Sequence, residues 1–320
     1  MIGVITEING YEHSNVHFKW SPDNEPVAYI ESGDYLKLSI PDASMGQIHR
    51  DSKLDNLIKL DFEKADGAVG PIYINRAEPG DTLMIYMDSI KVSDWGWSGI
   101  FKDFGLLDGF DDRLIIWKLS NDLAYSDDPE FLKEIRITIN PFLGVVGTAP
   151  SEEEYTMIPP QFFGGNIDNR LFSKGSTLYL PVNVKGGLLS FGDPHAIQGD
   201  GEVSGTAIET SCECSVRITL LKRNISSPMI IGKLVETGNY VNTMGISDDL
   251  HKASQIAVRN MITLLGSVGY TNDEAYVLCS VLGKLKISEI VDMPNYVVTF
   301  SLCTDVFPEK VRKRLLLNSK

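Results

Sequence analysis

Residues 71–92, PIYINRAEPGDTLMIYMDSIKV, contain two runs of β-branched and aromatic residues separated by a Pro-Gly-Asp turn. This pattern predicts a strand, a tight turn and a second strand, because glycine supplies the positive φ that such turns need. Residues 27–40, VAYIESGDYLKLSI, repeat it around Ser-Gly-Asp. The similar turns favour related halves of a β-sandwich or jelly roll; the alternative is that Gly-Asp is a common strand connector.

The β pattern continues to about residue 240. Short apolar or alternating runs, interrupted by glycine and proline, predict further strands within residues 135–150, 177–184, 186–191 and 214–222. The chain therefore has a β-rich body that extends through its first three quarters.

The pattern changes near Asp248, where apolar residues at helical spacing predict a helix of about five turns. Thr271, with Glu274 three residues later, predicts the capping box of a second helix. Residues 295–303 are expected to form the last strand. We therefore expect a mainly β (α+β) chain divided into an N-terminal β-rich domain (1–150), a central β domain that carries the active-site loops (151–240) and a C-terminal α+β portion (241–320).

Composition excludes several classes of protein. A formal net charge of −14 and a pI near 4.8 repel a phosphate backbone, so nucleic acid is not an expected partner. The opening MIGVITEING lacks the basic and apolar regions of a signal peptide, and no apolar run reaches the roughly 18 residues of a membrane-spanning helix. Four scattered cysteines do not make a disulfide framework. We expect a soluble, cytoplasmic protein without a membrane partner.

Chemically capable residues are concentrated in GDPHAIQGDGE (192–202). Asp193 and His195 are two residues apart, and so are Asp200 and Glu202, so in extended chain each pair can face one cavity. Imidazole with carboxylate suits Zn²⁺, while additional oxygen ligands suit Ca²⁺. The alternative is that the segment only forms turns, which Gly-Asp favours.

A second polar cluster is GGNIDNR (164–170), where Asn166 and Asp168 follow a flexible Gly-Gly pair. Their oxygen atoms are also two residues apart and can complete a metal shell. Turn structure is again the alternative, because Gly-Gly-Asn is a common turn sequence.

Four runs in order along the chain resemble the acetamidase/formamidase family of amidases, and the likeness extends from about residue 17 to residue 303. These runs are AEPGDTL (77–83), GGNIDNR (164–170), LYLPVNVKGGLLSFGDPHAIQGDGEVSGTAIE (178–209) and EAYVLCSVLGKLKISEIVDMPN (274–295). The resemblance implies a jelly-roll-like β-sandwich, a β-barrel-like portion and a small α/β portion near the C-terminus. It also implies a homodimer or larger homo-oligomer that hydrolyses small linear amides such as formamide or acetamide to ammonia and a carboxylate.

The resemblance further implies a bound divalent metal, zinc in the first place and calcium as the alternative, held by Asp168, Asp193 and His195. An amide needs a polarised carbonyl, an activated water and a protonated nitrogen, because resonance makes it unreactive. We expect Glu202 and Asp200 to be the catalytic carboxylates. In this hypothesis Glu202 takes a proton from water and returns it to the departing ammonia.

Three residues are candidate substrate contacts: Asn166, His17 in NVHFKW and Asp42 in PDAS. Two other functions stay open. One is a metal-binding β-sandwich protein without amidase activity, and the other is a hydrolase or lyase that acts on a different small substrate, such as a cyclic amide or a keto acid. Analysis of the products formed from a panel of amides separates these functions.

Overall fold

The computed structural model describes residues 3–234 and 238–316, and its secondary structure is 39% strand and 15% helix. This confirms the predicted, mainly β fold class. The strands are β1 (Ile5–Asn9), β2 (Val16–His17), β3 (Ala28–Ile30), β4 (Tyr35–Ile40), β5 (Ala68–Ile74), β6 (Thr82–Val92), β7 (Trp95–Ile100), β8 (Arg113–Ser120), β9 (Leu123–Ser126), β10 (Ile137–Thr138), β11 (Phe142–Gly147), β12 (Gly164–Asn166), β13 (Thr177–Pro181), β14 (Leu189–His195), β15 (Cys212–Leu221), β16 (Met229–Leu234), β17 (Gly238–Ser247), β18 (Lys284–Glu289) and β19 (Tyr296–Cys303). The helices are α1 (Leu54–Ile58), α2 (Leu250–Ser267), α3 (Asn272–Leu282) and α4 (Glu309–Leu315), with short 3-10 helices at His13–Asn15 and Phe62–Lys64.

The largest sheet has the strand order β1-β4-β15-β6-β13-β16-β17-β19-β18 and is antiparallel except at the β1–β4 pair. The two similar turns of the sequence precede β4 and β6, which lie on either side of β15. They have the same internal geometry. Asp34 accepts a hydrogen bond from the backbone N–H of Glu31 at 2.9 Å, and Asp81 accepts one from that of Glu78 at 2.8 Å. The repeated sequence therefore forms the same turn structure twice.

A second sheet, of order β12-β11-β14-β5-β2 with β3 paired to β5, packs on the first. Fully buried apolar side chains from both sheets form the core between them, among them Leu36, Leu38, Ile72, Ile85, Val146 and Phe191. Removal of this apolar surface from water is the main force that holds the two sheets together. A third, four-stranded sheet of order β10-β9-β8-β7 lies beside this sandwich, and none of the described sheets closes into a barrel.

The C-terminal helices pack on β17 and β19 through a second apolar core. Helix α2 begins after Asp249, whose side chain accepts a hydrogen bond from the N–H of Lys252. The capping box of Thr271 and Glu274 opens α3, as predicted. After α3, two elements were not expected, namely β18, which pairs with β19, and α4, which follows the last strand. Within residues 3–234 and 238–316, no helix combines the length and apolar character needed to cross a bilayer.

The largest sheet takes strands from each of the three predicted segments, since β6, β13 and β17 are all members of it. The segments therefore share one sheet, and the boundaries at residues 150 and 240 stay a prediction.

Candidate active site

A cavity of about 60 Å³ lies where β12 and β14 meet the loops that follow β4, β7 and β14. Its polar wall contains Asn166, Asp168, Asp193, His195, Glu202 and Glu209, and its apolar wall includes Trp97, Phe101 and Ile158. A space of this size suits a molecule of a few non-hydrogen atoms.

Two neighbouring strands bring the predicted loops together. Strand β14 carries Asp193 and His195 at alternate positions, and β12 leads directly into Asp168. Both strands pair with β11, so the two segments, distant in sequence, lie side by side. Atom Nδ1 of His195 is 3.6 Å from Oδ1 of Asp168. The structure therefore brings the two glycine-rich segments together.

His195 lies among carboxylates. Its Nε2 atom is 3.0 Å from Oδ2 of Asp193 and 2.9 Å from Oε2 of Glu209, and its Nδ1 atom is 2.9 Å from Oε1 of Gln198. Gln198 in turn donates to the backbone carbonyl of Asp168 at 3.0 Å. The imidazole plane is thus fixed on both edges by residues of the site.

Glu209 is positioned by its backbone and by one of its own oxygens. Its main chain exchanges hydrogen bonds of 2.8 Å with Trp97 on β7, in both directions. Its Oε1 atom accepts a hydrogen bond from the N–H of Ala207 at 2.6 Å. The other oxygen, Oε2, is left to face His195.

The donor set fits a divalent cation. Three groups of residues each place one ligand atom per residue within 4.8 Å of one another: Asp168, Asp193 and His195; His195, Glu202 and Glu209; and Asp168, Glu202 and Asp292. Among the described residues, the buried oxygens Asp168 Oδ1 and Asp193 Oδ1 have no hydrogen-bond donor. A buried, unpaired carboxylate oxygen is costly, and a cation satisfies several at once. The acidic and histidine groups can therefore hold a metal ion.

Further acidic residues line or adjoin the cavity. Asp292 accepts a hydrogen bond from Nδ2 of Asn166 at 2.8 Å, and Glu289 accepts from the N–H groups of Val291 and Asp292. Asp66 also lines the cavity. Sequence reasoning did not single out Asp66, Glu209, Glu289 or Asp292. The only sequence indication was that Glu209 lies within the run 178–209 and that Glu289 and Asp292 lie within the run 274–295.

Burial dominates the electrostatics of the cluster. It raises the pKa of Asp168, Glu202 and Asp292 well above the usual range, and neighbouring carboxylates add to the effect. For the same reason the pKa of Glu209 rises to about 8.

Burial alone lowers the pKa of His195, but the Asp193 and Glu209 carboxylates outweigh it, and that pKa also rises. A cation that binds to such a cluster must displace these protons, so its affinity should depend on pH.

The backbone of the site is unusual in two respects. Asp168, Asp193 and Glu202 all have positive φ, at 39°, 50° and 47°, which L-residues rarely adopt and which is concentrated at functional sites. Gly144, on β11, lies against two of these carboxylates. A Cβ atom there would overlap Asp168 Oδ1 and Asp193 Oδ2 and would lie 3.2 Å from Cε1 of His195.

Asp200 is not brought into the cavity. Gly201, with φ of +94°, turns the chain between Asp200 and Glu202, so that Glu202 is buried and Asp200 is exposed. The Asp200 carboxylate accepts two hydrogen bonds from Arg170, at 2.7 and 3.0 Å. The extended geometry expected for this pair is therefore absent, because the turn reverses one of the two side chains.

His17 and Asp42 lie outside the cavity wall. Atom Nε2 of His17 is 2.8 Å from Oγ of Ser190 on β14. Asp42 is buried beneath the apolar wall, where its Oδ1 atom accepts a hydrogen bond from Nε1 of Trp97 at 3.0 Å. Both residues thus contact elements that form the site, whereas Asn166 is the one predicted substrate contact that lines the cavity itself.

Known proteins of similar sequence or structure include amidases. A formamidase of Methylophilus methylotrophus is 26% identical, covering 94% of this chain and 91% of its own. The crystal structure of an acetamidase from Bacillus halodurans superposes with a TM-score of 0.86 at 29% identity, covering 96% of this chain and 99% of its own. A gamma lactamase from Delftia acidovorans has a TM-score of 0.67 at 25% identity, covering 94% and 91%.

The chain is an amidase, an enzyme that hydrolyses non-peptide carbon–nitrogen bonds. The profile of the Acetamidase/Formamidase family matches residues 6–156 and 152–309, and the chain belongs to that family.

Proposed function

We propose that this amidase is metal-dependent and converts small linear amides, such as formamide or acetamide, into ammonia and the carboxylate. The observation that carries the proposal is the approach of Asp168, Asp193 and His195 to one another, beside Glu202, in a cavity of about 60 Å³. The unpaired oxygens of this group are the ligands that a divalent cation takes.

Asp168, Asp193 and His195 are the proposed metal ligands, and Glu209 Oε2 is within reach as a further one. We favour zinc because imidazole is a common zinc ligand, whereas calcium prefers a shell made of oxygen atoms. When bound, such an ion supplies Lewis acidity that polarises the amide carbonyl and lowers the pKa of water.

Glu202 is the proposed general base and acid. Its buried carboxyl lines the cavity and has a ligand atom within 4.8 Å of those of His195 and Glu209. It takes a proton from water as the new C–O bond forms at the carbonyl carbon. It then returns this proton to nitrogen as the C–N bond breaks, so that ammonia leaves and the carboxylic acid remains, which loses its proton to solvent at neutral pH to give the carboxylate. Asp200, the other predicted catalytic carboxylate, has a structural role in this proposal, because it accepts two hydrogen bonds from Arg170.

Asn166 is the proposed contact of the amide nitrogen. Its Nδ2 atom donates to Asp292, while its buried Oδ1 atom has no donor among the described residues and is available to accept from a substrate N–H. A primary amide offers two such donors. Asp42 acts indirectly, by fixing Trp97 in the apolar wall, and His17 acts through Ser190.

The proposal is tested by ammonia release from formamide, acetamide and propionamide, measured as purified, after chelation, and after adding back Zn²⁺ or Ca²⁺. We expect turnover that chelation removes and that one of the two ions restores. Full activity in a chelated protein free of metal would contradict the metal requirement. Metal binding without ammonia from any amide would instead favour the metal-binding protein without amidase activity.

A cyclic amide is the second candidate substrate, because the fold is shared with a gamma lactamase. Opening of a γ-lactam gives an amino acid and no ammonia, so the two assays on one preparation separate the two activities. The predicted homodimer or larger homo-oligomer and the predicted location stay predictions.

A further inference from the structure

A second and larger chamber lies directly outside the small cavity. We call it the outer chamber; it has a volume of about 660 Å³, and its walls include Phe18, Phe62, Phe104, Met157, Val291 and Met293. Four residues line both spaces, namely Phe62, Ala65, Phe104 and Ile158. The two spaces therefore adjoin along these residues, and the carboxylates and His195 line the inner one.

The walls of the outer chamber are mainly apolar. Phe62 packs on Phe101 with ring centroids 5.2 Å apart, and Phe101 packs on Phe104 at 6.3 Å. The loop that carries Phe104 is held by a hydrogen bond of 2.9 Å from the N–H of Leu106 to the carbonyl of Val203. Phe62 and Met293 remain open to solvent, with 47% and 58% of their surface exposed, respectively. Binding of a ligand that covers apolar surface of this kind is favourable in free energy.

The charges along this path are of one sign. Glu63 and Asp103 line the outer chamber, and the inner cavity is lined by aspartates and glutamates around His195. No lysine or arginine lines either space, as far as the described ranges 3–234 and 238–316 extend. In the outer chamber, an anionic group on a ligand would therefore meet only like charges, and no lysine or arginine would pair with it.

Resting on the proposed amidase function, we propose that the outer chamber binds the acyl group of the substrate. The preferred substrates are then neutral primary amides whose apolar acyl group is larger than acetyl, with the amide end in the inner cavity. Formamide and acetamide fill the inner cavity and leave the outer walls uncovered. A hexanoyl or phenylacetyl group extends past Ile158 to contact Phe62 and Met293.

The test compares kcat/KM of the metal-loaded protein for acetamide, hexanamide, 2-phenylacetamide and the half-amide of adipic acid. The last compound has a six-carbon chain like hexanamide but ends in a carboxylate at neutral pH. Because each well-packed methylene can change specificity about tenfold or more, we expect kcat/KM for hexanamide to exceed that for acetamide by at least about tenfold. We expect the half-amide to fall at least about tenfold below hexanamide.

Two variants locate the effect. Phe62→Ser and, independently, Met293→Ser remove apolar wall from the outer chamber and should lower the hexanamide-to-acetamide ratio of kcat/KM by about tenfold and severalfold, respectively. Phe110→Ser is the matched control, because Phe110 is 54% exposed and does not line the chamber. It should leave the ratio unchanged.

The outcomes separate this inference from the proposed function. Hydrolysis of acetamide with no gain for either larger amide would overturn the inference and leave the amidase proposal intact. A preference for hexanamide that neither variant alters would also overturn it, because the acyl group would then bind elsewhere. No ammonia from any of the four amides, in protein loaded with Zn²⁺ or Ca²⁺, would overturn both.

Discussion

Gly144 lies against Asp168 so closely that a Cβ atom on Gly144 would overlap the Oδ1 atom of the carboxylate. The two residues belong to different segments, since Gly144 is in the middle of β11 and Asp168 follows β12. The backbone carbonyl of Gly144 also accepts hydrogen bonds from the N–H groups of Ile167 and Asp168, at 3.0 and 3.2 Å. A residue with no side chain is therefore what allows the carboxylates to converge.

We predict that Gly144→Ala weakens metal binding by about tenfold to hundredfold, because the added methyl group displaces Asp168 and Asp193. Metal affinity, measured by calorimetric titration of the chelated protein, should fall together with ammonia release. Gly199→Ala is the matched control in the neighbouring loop, where a Cβ atom meets nothing within 4 Å. Unchanged metal affinity in Gly144→Ala would show that the carboxylates do not need this approach.

We predict that Glu202→Gln lowers kcat about 10²- to 10⁴-fold, the usual contribution of general acid–base catalysis. The amide is close in shape to the carboxylate but cannot carry the proton. Metal content and circular dichroism should stay at the parental values. Asp200→Asn is the comparison, since it weakens the contacts of Asp200 with Arg170 and Lys286, which lie outside the cavity, and should retain most of the activity. If Asp200→Asn were the inactive variant, the assigned roles would be reversed.

The sheets could be predicted from the sequence to a large extent because their information is local. The turn at Glu31 to Asp34 and its counterpart at Glu78 to Asp81 each contain the glycine and the aspartate that close them. The capping box at Thr271 is likewise contained within four residues. Strand β18 was missed because its stability comes from pairing with β19, which lies later in the chain.

The candidate site could be predicted only in part. Two short glycine-rich segments stood out because they are rich in polar residues. They contain Asp168, Asp193, His195 and Glu202. Glu209 gave no such indication, since its role depends on its backbone pairing with Trp97, a contact made across more than a hundred positions of sequence. In the same way spacing alone did not show that Gly201 turns Asp200 outward.

We predict that His17 makes the stability of the protein fall as the pH is lowered. Burial lowers the pKa of His17 from 6.5 to about 4, so that between these values the unfolded chain takes up a proton that the folded chain does not. The free energy of unfolding should therefore fall, by up to about 1.4 kcal/mol per pH unit in this window from this one group. His17→Gln, which can still bond to Ser190, should have a shallower slope in urea titrations between pH 6.5 and 4. An identical slope would contradict the prediction.

We predict that Trp97→Phe lowers the free energy of unfolding by about 1–3 kcal/mol, because the buried Asp42 carboxylate loses a donor. It should also raise KM for acetamide, since the ring at the cavity wall is no longer anchored. Trp117→Phe is the matched control, as it removes a hydrogen bond to Ser98 in the adjacent strand but does not line the cavity. Equal KM values in the two variants would argue against a role for Trp97 in substrate binding.

The central claim is that Asp168, Asp193 and His195 hold a divalent cation that amide hydrolysis requires. The most direct measurement is the bound metal per chain together with ammonia release, determined on the same samples of the parental protein and of Asp168→Asn/Asp193→Asn. We expect tightly bound zinc and activity in the parent, and loss of both in the folded double variant. A double variant that keeps its metal and its activity would contradict the claim.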